Sequence, residues 1–223
     1  MQNFFLSRPL RSRGPGHDAE DNLLQYGIPA ARKAGIQVVW LTWGISEKDL
    51  ETLSPTTIRI FGFNDDGSCA LDEGIGQEMC SVKLGDGKTV QGGRLLMRDQ
   101  WNTALHDPLE VAYQDGLKNA SPPDIRFHKN RLSGMCEAMK ECTNFLYEKG
   151  VKTLLFNGVN TDQCVLGTLQ DANLKGFDTV LMKDGCGTNT GEAAAKTTEM
   201  NCEKSWGFVS TLKAVYEAVE NIN

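Results

Sequence analysis

The stretch KTLLFNGVNTDQCVLGTLQDANLKGFDTVLMK, residues 152–183, decides the fold of this chain. An apolar run, Lys152 to Asn157, precedes a helix-like pattern over 162–175 that stops at Gly176, and a second apolar run follows over Asp178 to Lys183. Strand–helix alternation with loops this short favours a parallel sheet covered by helices. The stretch therefore predicts an α/β fold.

The flanking sequence continues this alternation. Apolar spacing predicts helices at Asp18 to Ala34, Ser133 to Lys149, 190–203 and from Thr211 onward, and strands at Ile36 to Thr42 and in WGFVS, residues 206–210. The strand over Ile36 to Thr42 is apolar almost throughout, which is typical of strands buried on both faces of a parallel sheet. We expect a three-layer sandwich with a central, mostly parallel sheet and helices on both faces.

The length of 223 residues fits one domain spanning residues 1–223. Residues from about 44 to 124 are rich in Gly, Asp, Ser and Pro, and they read as a loop-rich insertion. Within it, SVKLGDGKTVQ predicts a hairpin, because Asp86-Gly87 is a strong turn signal between two short strands.

Charge and composition exclude several classes of protein. The net charge is −6 and the pI is near 5.2, with acidic residues scattered along the chain. This argues against nucleic-acid partners and anionic membrane surfaces, which require a basic patch. No segment approaches the ~18 apolar residues of a membrane span, and the first residues do not follow the order of a secretory signal. We expect a cytoplasmic protein, although export is not excluded.

Cysteine and histidine usage predicts neither a metal nor a cofactor. The seven cysteines are odd in number and form no Cys-x-x-Cys, and the three histidines lie far apart in sequence. A disulfide framework and a structural zinc site are therefore not expected.

Cys164 is the candidate nucleophile on position alone. It follows the strand over Lys152 to Asn157, and ligands bind parallel sheets at the carboxyl ends of their strands. Free backbone N–H groups and the helix dipole lower a thiol pKa there and can also hold an oxyanion. Thr161 and Asp162 are placed to cap the helix. A small buried hydrophobe is the alternative interpretation of this cysteine.

Residues 158–188, GVNTDQCVLGTLQDANLKGFDTVLMKDGCGT, resemble the signature of the isochorismatase-like cysteine hydrolases, which include nicotinamidases and other small-molecule amidases. The matching positions are Gly158, Val159, Thr161, Asp162, Cys164, Val165, Thr168, Asp171, Ala172, Gly176 and Asp184. A second family segment, Lys-x-x-x-Ser-Ala-Phe, is met by KNRLSGM, residues 129–135. Lys129 and Ser133 match there, whereas Gly134 and Met135 depart.

This resemblance implies a sheet of strand order 3-2-1-4-5-6 and a Cys–Lys–Asp triad. Cys164 would attack a carbonyl, Lys129 would stabilise the charged cluster, and water would hydrolyse the resulting thioester. The family also implies a cis peptide before Asn160, and an oxyanion hole formed by the backbone N–H groups of Asn160 and Cys164.

The triad acid has no counterpart in the chain. The family motif Asp-x-Gln-x-x-Phe is met by Gln2 and Phe5 in MQNFFL, so the Asp and the first strand would lie upstream of Met1. Either the sequence starts at an internal methionine of a longer protein, or the protein lacks both, and the physics favours the first alternative. In the family order, that strand lies between Ile36–Thr42 and Lys152–Asn157. Lost buried hydrogen bonds cost roughly 1–3 kcal/mol each, against a total stability of about 5–15 kcal/mol. We therefore expect residues 1–223 alone to be neither active nor self-sufficient in folding.

The leading functional hypothesis is hydrolysis of a small amide or related carbonyl compound through a cysteine thioester. Vinyl-ether hydrolysis of the isochorismatase type and a catalytically silent binding protein are the alternatives. Nicotinamide is not expected, because TWGISEKDL, residues 42–50, lacks the Asp-x-His metal cluster of nicotinamidases. The weaker candidates for the substrate pocket are Gln2, Phe5, Trp43, Trp101 and Val159. The expected partners are a small-molecule substrate and further copies of the chain.

Overall fold

The computed structural model describes residues 1–61 and 74–222. Three helices open the chain: α1 (Asn3–Leu6), α2 (Pro15–Asn22) and α3 (Ile28–Lys33). A π-helical turn, Leu23–Gly27, joins α2 to α3, so the predicted helix over Asp18 to Ala34 is present but not uniform. Pro29 lacks a backbone N–H and cannot make a normal helical bond at that point.

Five strands form two parallel sheets. The first sheet pairs β1 (Val39–Trp43) with β4 (Ile125–Lys129), and the second has the order β5-β6-β7, formed by Thr153–Val159, Asp178–Gly187 and Phe208–Ser210. These strands and the intervening helices confirm the predicted α/β class. β4 was not predicted.

Helices follow the strands of the second half. They are α7 (Lys140–Glu148), α8 (Leu166–Leu174), α9 (Glu192–Asn201) and α10 (Leu212–Glu220), with π-helical turns at Thr161–Val165 and Cys202–Trp206. The predicted helix over Ser133 to Lys149 is too long, because α7 begins only at Lys140. Its apolar side chains Cys142 and Leu146 are buried in one cluster with Met135 and Phe177.

The described residues of the region from about 44 to 124 include several short regular elements as well as loops. Short helices α4 (Glu47–Leu50) and α5 (Pro55–Ile58) are followed by strands β2 (Glu78–Lys83) and β3 (Thr89–Arg94), a 3₁₀ turn at Trp101–Thr103, and α6 (Asp107–Asn119). β2 and β3 pair antiparallel, which confirms the predicted hairpin. Gly87 has φ 84° in its turn, a conformation that glycine adopts without strain.

Part of this region packs against the end of the first sheet. Ile45, Ile75, Leu95 and Leu96 are fully buried in the same cluster as Trp43, Phe4 and Cys164. The single-domain organisation with an insertion stays a prediction. Among the described helices, none is long and apolar enough to cross a bilayer.

A cleft separates the two parallel sheets. Within the described residues, β1 pairs only with β4, and the only partner of β5 is β6. Two cavities, of about 200 and 320 Å³, lie along this cleft and are lined by residues of both β1 and β5. The strand order 3-2-1-4-5-6 and the absence of a first strand stay predictions.

Candidate active site

Cys164 lies in a π-helical turn, Thr161–Val165, directly after β5. The backbone N–H of Val165 donates to the carbonyl oxygen of Asn160 at 3.2 Å, which closes the wide turn. The thiol is 7% exposed and belongs to a hydrophobic cluster. Such single π turns occur frequently at functional sites.

Lys129, the last residue of β4, reaches this thiol. Its Nζ lies 3.4 Å from Cys164 Sγ and donates to the carbonyl oxygens of Arg131 and Leu132, at 2.8 Å each. The same nitrogen lies 3.8 Å from the centroid of the Trp43 ring. All three ammonium protons therefore have acceptors, and the group has one fixed position.

Burial changes the pKa of the Lys129 ammonium. Lys129 is only 4% exposed, and desolvation lowers its pKa, while the charge of Cys164 and the hydrogen bond to it act in the opposite direction. Among residues 1–61 and 74–222, no carboxylate forms an ion pair with Lys129. In the described part of the chain, Cys164 is therefore the ionisable side chain that a hydrogen bond joins to Lys129, and Cys136 adds a smaller electrostatic effect.

The Val159–Asn160 peptide is cis, as the family resemblance implies. The Asn160 side chain donates from Nδ2 to Gln163 Oε1 at 3.2 Å, within the same turn. The role of the Asn160 and Cys164 backbone N–H groups as an oxyanion hole stays a prediction.

The cap predicted for this turn is wrong. Asn160 is the N-cap residue, and the turn has no side-chain cap. Asp162 instead accepts a hydrogen bond from Thr188 Oγ1 at 2.6 Å and so ties the turn to the end of β6.

Four of the five weaker pocket candidates line the 320 Å³ cavity that contains Cys164 and Lys129. They are Gln2, Phe5, Trp43 and Val159, whereas Trp101 is absent from the described lining. Gln2 is 1% exposed, and its amide binds the backbone N–H and carbonyl of Trp43 at 3.0 and 2.8 Å. Gln2 is therefore already engaged in holding the strand end.

Two supporting residues of the site were not predicted from the sequence. Trp43 is predicted only as a pocket wall, but its ring lies against the Lys129 ammonium. Thr168 donates to the carbonyl oxygen of Cys164 at 2.7 Å and accepts from the backbone N–H of Gly134 at 3.2 Å. Its hydroxyl thus joins the Cys164 turn to the segment that follows Lys129. Its place in the signature, one helical turn after Cys164, was the available signal.

The other described cysteines differ from Cys164 in their surroundings. Burial raises the thiol pKa of Cys142 and of Cys202 to about 11, and it raises the pKa of Cys186 still further. Cys80 is disulfide-bonded, so cysteine usage alone does not establish a reducing environment. No group of three His, Cys, Asp or Glu side chains in the described ranges is arranged to hold a metal ion.

Comparisons with known proteins concern the family and the fold of this chain. A family model described as the Isochorismatase domain matches residues 1–213.

Two curated relatives are both named ureidoacrylate amidohydrolase RutB. The protein from Caulobacter segnis is 27% identical over 184 residues, which cover 82% of this chain and 66% of the relative. The protein from Caulobacter vibrioides is 31% identical over 82% of this chain and 70% of the relative. The chain thus spans about two thirds of their length.

Solved structures share the fold. The nicotinamidase/pyrazinamidase PncA from Bacillus subtilis superposes with a TM-score of 0.67, and the match covers 94% of each chain. The sequence identity is 16%, so this likeness concerns the fold alone.

Proposed function

Since this chain belongs to the isochorismatase family, we propose that it hydrolyses a small-molecule amide or related carbonyl compound through a thioester on Cys164. The single observation that carries the proposal is the 3.4 Å contact between Lys129 Nζ and Cys164 Sγ. An ammonium at this distance favours the thiolate, which is the nucleophilic form of cysteine.

The reaction divides into two steps. The Cys164 thiol gives up its proton, the thiolate attacks the substrate carbonyl, and a carbon–sulfur bond forms. The carbon–nitrogen bond then breaks as that proton passes to the leaving nitrogen. Water then attacks the thioester, its oxygen leaves with the carboxylic acid, and one of its protons restores the thiol. The backbone N–H groups of Asn160 and Cys164 would stabilise the oxyanion in both steps.

The substrate class follows from the relatives. Two of them are named for ureidoacrylate, whose ureido group contains an amide-like carbonyl bonded to nitrogen. We propose a ureido or simple amide compound small enough for the part of the 320 Å³ cavity that lies next to Cys164 and Lys129. The apolar residues Phe5 and Val159 would contact its non-reacting part.

The first experiment combines turnover with trapping of the intermediate. Ammonia release from ureidoacrylate is measured for the unaltered chain, for Cys164→Ala and for Cys202→Ala, a buried cysteine outside the lining of this cavity, with acid quenching and mass spectrometry of the protein. We expect Cys164→Ala to lose activity by a factor on the order of 10³ or more, and only chains that keep Cys164 to carry an acyl adduct. Equal turnover by Cys164→Ala would contradict the proposal.

A silent binding protein is the second candidate function. It is favoured by one observation: in the part of the chain that the structure describes, Lys129 has no carboxylate partner to serve as proton acceptor. A chain of this kind would bind ureidoacrylate in calorimetry without releasing ammonia. Vinyl-ether hydrolysis is tested in the same assay with isochorismate, and it requires turnover that survives Cys164→Ala.

A cytoplasmic location and association into a homo-oligomer remain part of this proposal. They rest on the composition and on the family resemblance.

A further inference from the structure

Two backbone carbonyl oxygens hold the Lys129 ammonium, and both belong to the loop that follows β4. The Lys129 Nζ donates to the carbonyls of Arg131 and Leu132 at 2.8 Å each, and the remaining proton is directed to Cys164 Sγ at 3.4 Å. The loop of residues 130–132 therefore sets the position of the ammonium, and a shift of this loop would move the ammonium relative to the sulfur.

The side chain of Asn130 anchors the start of this loop to helix α4. Asn130 is 8% exposed, and its Nδ2 donates to Asp49 Oδ1 at 2.6 Å. The Oδ1 atom of Asn130 is buried and has no hydrogen-bond partner within the part of the chain that the structure describes. In that part of the chain, Asp49 is therefore the one hydrogen-bond partner of the Asn130 side chain.

Asp49 is itself fixed by the first turn of α4. Its Oδ2 accepts from the backbone N–H of Ser46 at 2.8 Å and from Ser46 Oγ at 2.6 Å, while the backbone N–H of Asp49 donates to Ser46 Oγ at 3.2 Å. These reciprocal bonds form a capping box. One carboxylate oxygen is thus used inside the helix, and the other is left to accept from Asn130.

The pKa of Asp49 agrees with this arrangement. Burial raises the pKa of the Asp49 carboxyl, but the hydrogen bonds from Ser46 and Asn130 and the charge of Arg98 together bring it below its ordinary value. These bonds therefore stabilise the carboxylate form. A hydrogen bond to an ionised acceptor is stronger than one between neutral groups, so the Asp49 carboxylate is a firm anchor for the Asn130 amide.

A second bond ties the same loop to the residues that follow α4. Arg131 Nη2 donates to the carbonyl oxygen of Thr52 at 3.3 Å, at an exposed position. Long hydrogen bonds are weaker than short ones. The bond between Asn130 and Asp49, which is shorter and partly buried, is therefore the stronger of these two links between the loop and α4.

Asp49 lies outside the reacting part of the site. It is absent from the described lining of the 320 Å³ cavity that contains Cys164 and Lys129. Among the described residues, the charges that shift the pKa of Lys129 are those of Cys164 and Cys136. The loop after β4 is therefore the route by which Asp49 would act on the ammonium.

We propose that Asp49 is a positioning residue, which through the loop after β4 holds the Lys129 ammonium beside the Cys164 thiol. Its consequence for turnover rests on the proposed function, whereas its effect on the reactivity of the thiol does not. Because Asp49 acts through the ammonium, its effect on Cys164 should vanish in a chain that lacks this ammonium.

The test follows the rate at which iodoacetamide alkylates Cys164 at pH 7, which reports how well the ammonium favours the thiolate. Asp49→Ala is made in the unaltered chain and in Lys129→Met. Asp49→Asn has no charge but keeps an acceptor oxygen for the amide of Asn130. Ser54→Ala is the matched control, since the Ser54 hydroxyl caps the neighbouring short helix α5.

We expect Asp49→Ala to slow alkylation by at least about threefold, because an ammonium on a looser loop spends less time beside the sulfur. Asp49→Asn should keep most of the rate, and Ser54→Ala should keep all of it. In Lys129→Met, the further change Asp49→Ala should alter the rate by less than about 1.5-fold, because the group through which Asp49 acts is gone.

Four results would each overturn the proposal. They are an unchanged rate in Asp49→Ala, an equal loss in Ser54→Ala, an equal loss in Asp49→Asn, and the same loss with and without the Lys129 ammonium. The last result is the one expected if Asp49 only stabilises the fold around the thiol, because that role does not require the ammonium.

Asn130→Ser gives a readout if Asp49→Ala does not fold. It shortens the side chain and removes the same hydrogen bond from the other partner, so it should slow alkylation by a similar factor. An unchanged rate in Asn130→Ser would then contradict the proposal. Failure of the thioester trapping assay, by contrast, leaves these alkylation rates unchanged, so the proposed function and this inference fail separately.

Discussion

Trp43 and Lys129 are register partners across β1 and β4, and the Lys129 ammonium lies 3.8 Å from the centroid of the Trp43 ring. Trp43 is 1% exposed, so the ring face is withdrawn from water. A desolvated cation–π contact contributes up to about 2 kcal/mol. Trp43 therefore helps Lys129 to keep its charge against the cost of burial.

Removing this ring face should make Cys164 less reactive. In Trp43→Leu the pKa of Lys129 falls further, and we expect alkylation of Cys164 by iodoacetamide at pH 7 to slow by roughly two- to thirtyfold, as expected for 0.5–2 kcal/mol. Trp43→Phe keeps a weaker ring face, so its rate should lie between those of Trp43→Leu and the unaltered chain. An unchanged rate in Trp43→Leu would show that the ring only fills space.

Lys129→Met should separate the effect of the ammonium charge on Cys164 reactivity from the effect of side-chain packing. The variant keeps most of the side-chain volume but removes the ammonium, so we expect alkylation of Cys164 at pH 7 to slow by about tenfold or more. Lys183→Met, at an exposed position on β6, is the matched control and should react like the unaltered chain. Loss of reactivity in both variants would contradict the specific role of Lys129.

The stability of Lys129→Met relative to the unaltered chain should depend on pH. Burial lowers the pKa of Lys129 below its ordinary value of 10.5, so the cost of the buried charge is fully present at pH values below the lowered pKa. That cost disappears as the pH rises towards 10.5, because the unfolded chain then loses its proton as well. Lys129→Met should therefore be relatively more stable at neutral pH, and the difference in urea midpoints should shrink at alkaline pH.

The rates at which the buried thiols are alkylated should differ, and so should the dependence of these rates on pH. Cys142 and Cys202 have pKa values raised to about 11 by burial, so their alkylation in the native state should be slow at pH 7 and rise only towards pH 11. Cys164 should react faster than either of them at pH 7, because its sulfur lies 3.4 Å from the Lys129 ammonium. Peptide mapping after a short iodoacetamide pulse checks this order, and the reverse order would contradict Cys164 as nucleophile.

Gln2→Leu should destabilise the protein without a change in charge. The substitution leaves the N–H and carbonyl of Trp43 unpaired, whereas the carbonyl of Thr103 keeps its hydrogen bond from Arg126. Each buried group left unpaired costs about 1–3 kcal/mol, so we expect a loss of several kcal/mol in urea unfolding. Gln77→Leu, at an exposed position, should change stability by less than about 0.5 kcal/mol.

Local patterns predicted the second half of the chain well. β5, β6 and the helices between them follow from apolar runs closed by glycines, and α/β alternation placed Cys164 at the end of a strand. The π turns were not predictable, since a spacing of three and four residues does not distinguish them from α-helical turns. The proximity of Lys129 to Cys164 came only from the family resemblance.

The first sheet was harder to predict. β4 reads Ile-Arg-Phe-His-Lys, and its cationic and aromatic side chains leave no apolar run from which a strand could be predicted. It is recognised as a strand by its pairing with β1. Without β4, the register that places Trp43 against Lys129 cannot be derived. α6 was missed because Pro108 and Gly116 interrupt its pattern, although Leu109 is buried on its inner side.

Among residues 1–61 and 74–222, β1 and β5 each have one edge that pairs with no other strand, and these edges also bear on handling the protein in solution. An apolar strand edge that lacks a neighbour is a template for pairing with any other extended chain, and such edges promote aggregation. Turbidity on heating at high concentration would therefore serve as a simple assay of how well these edges are protected.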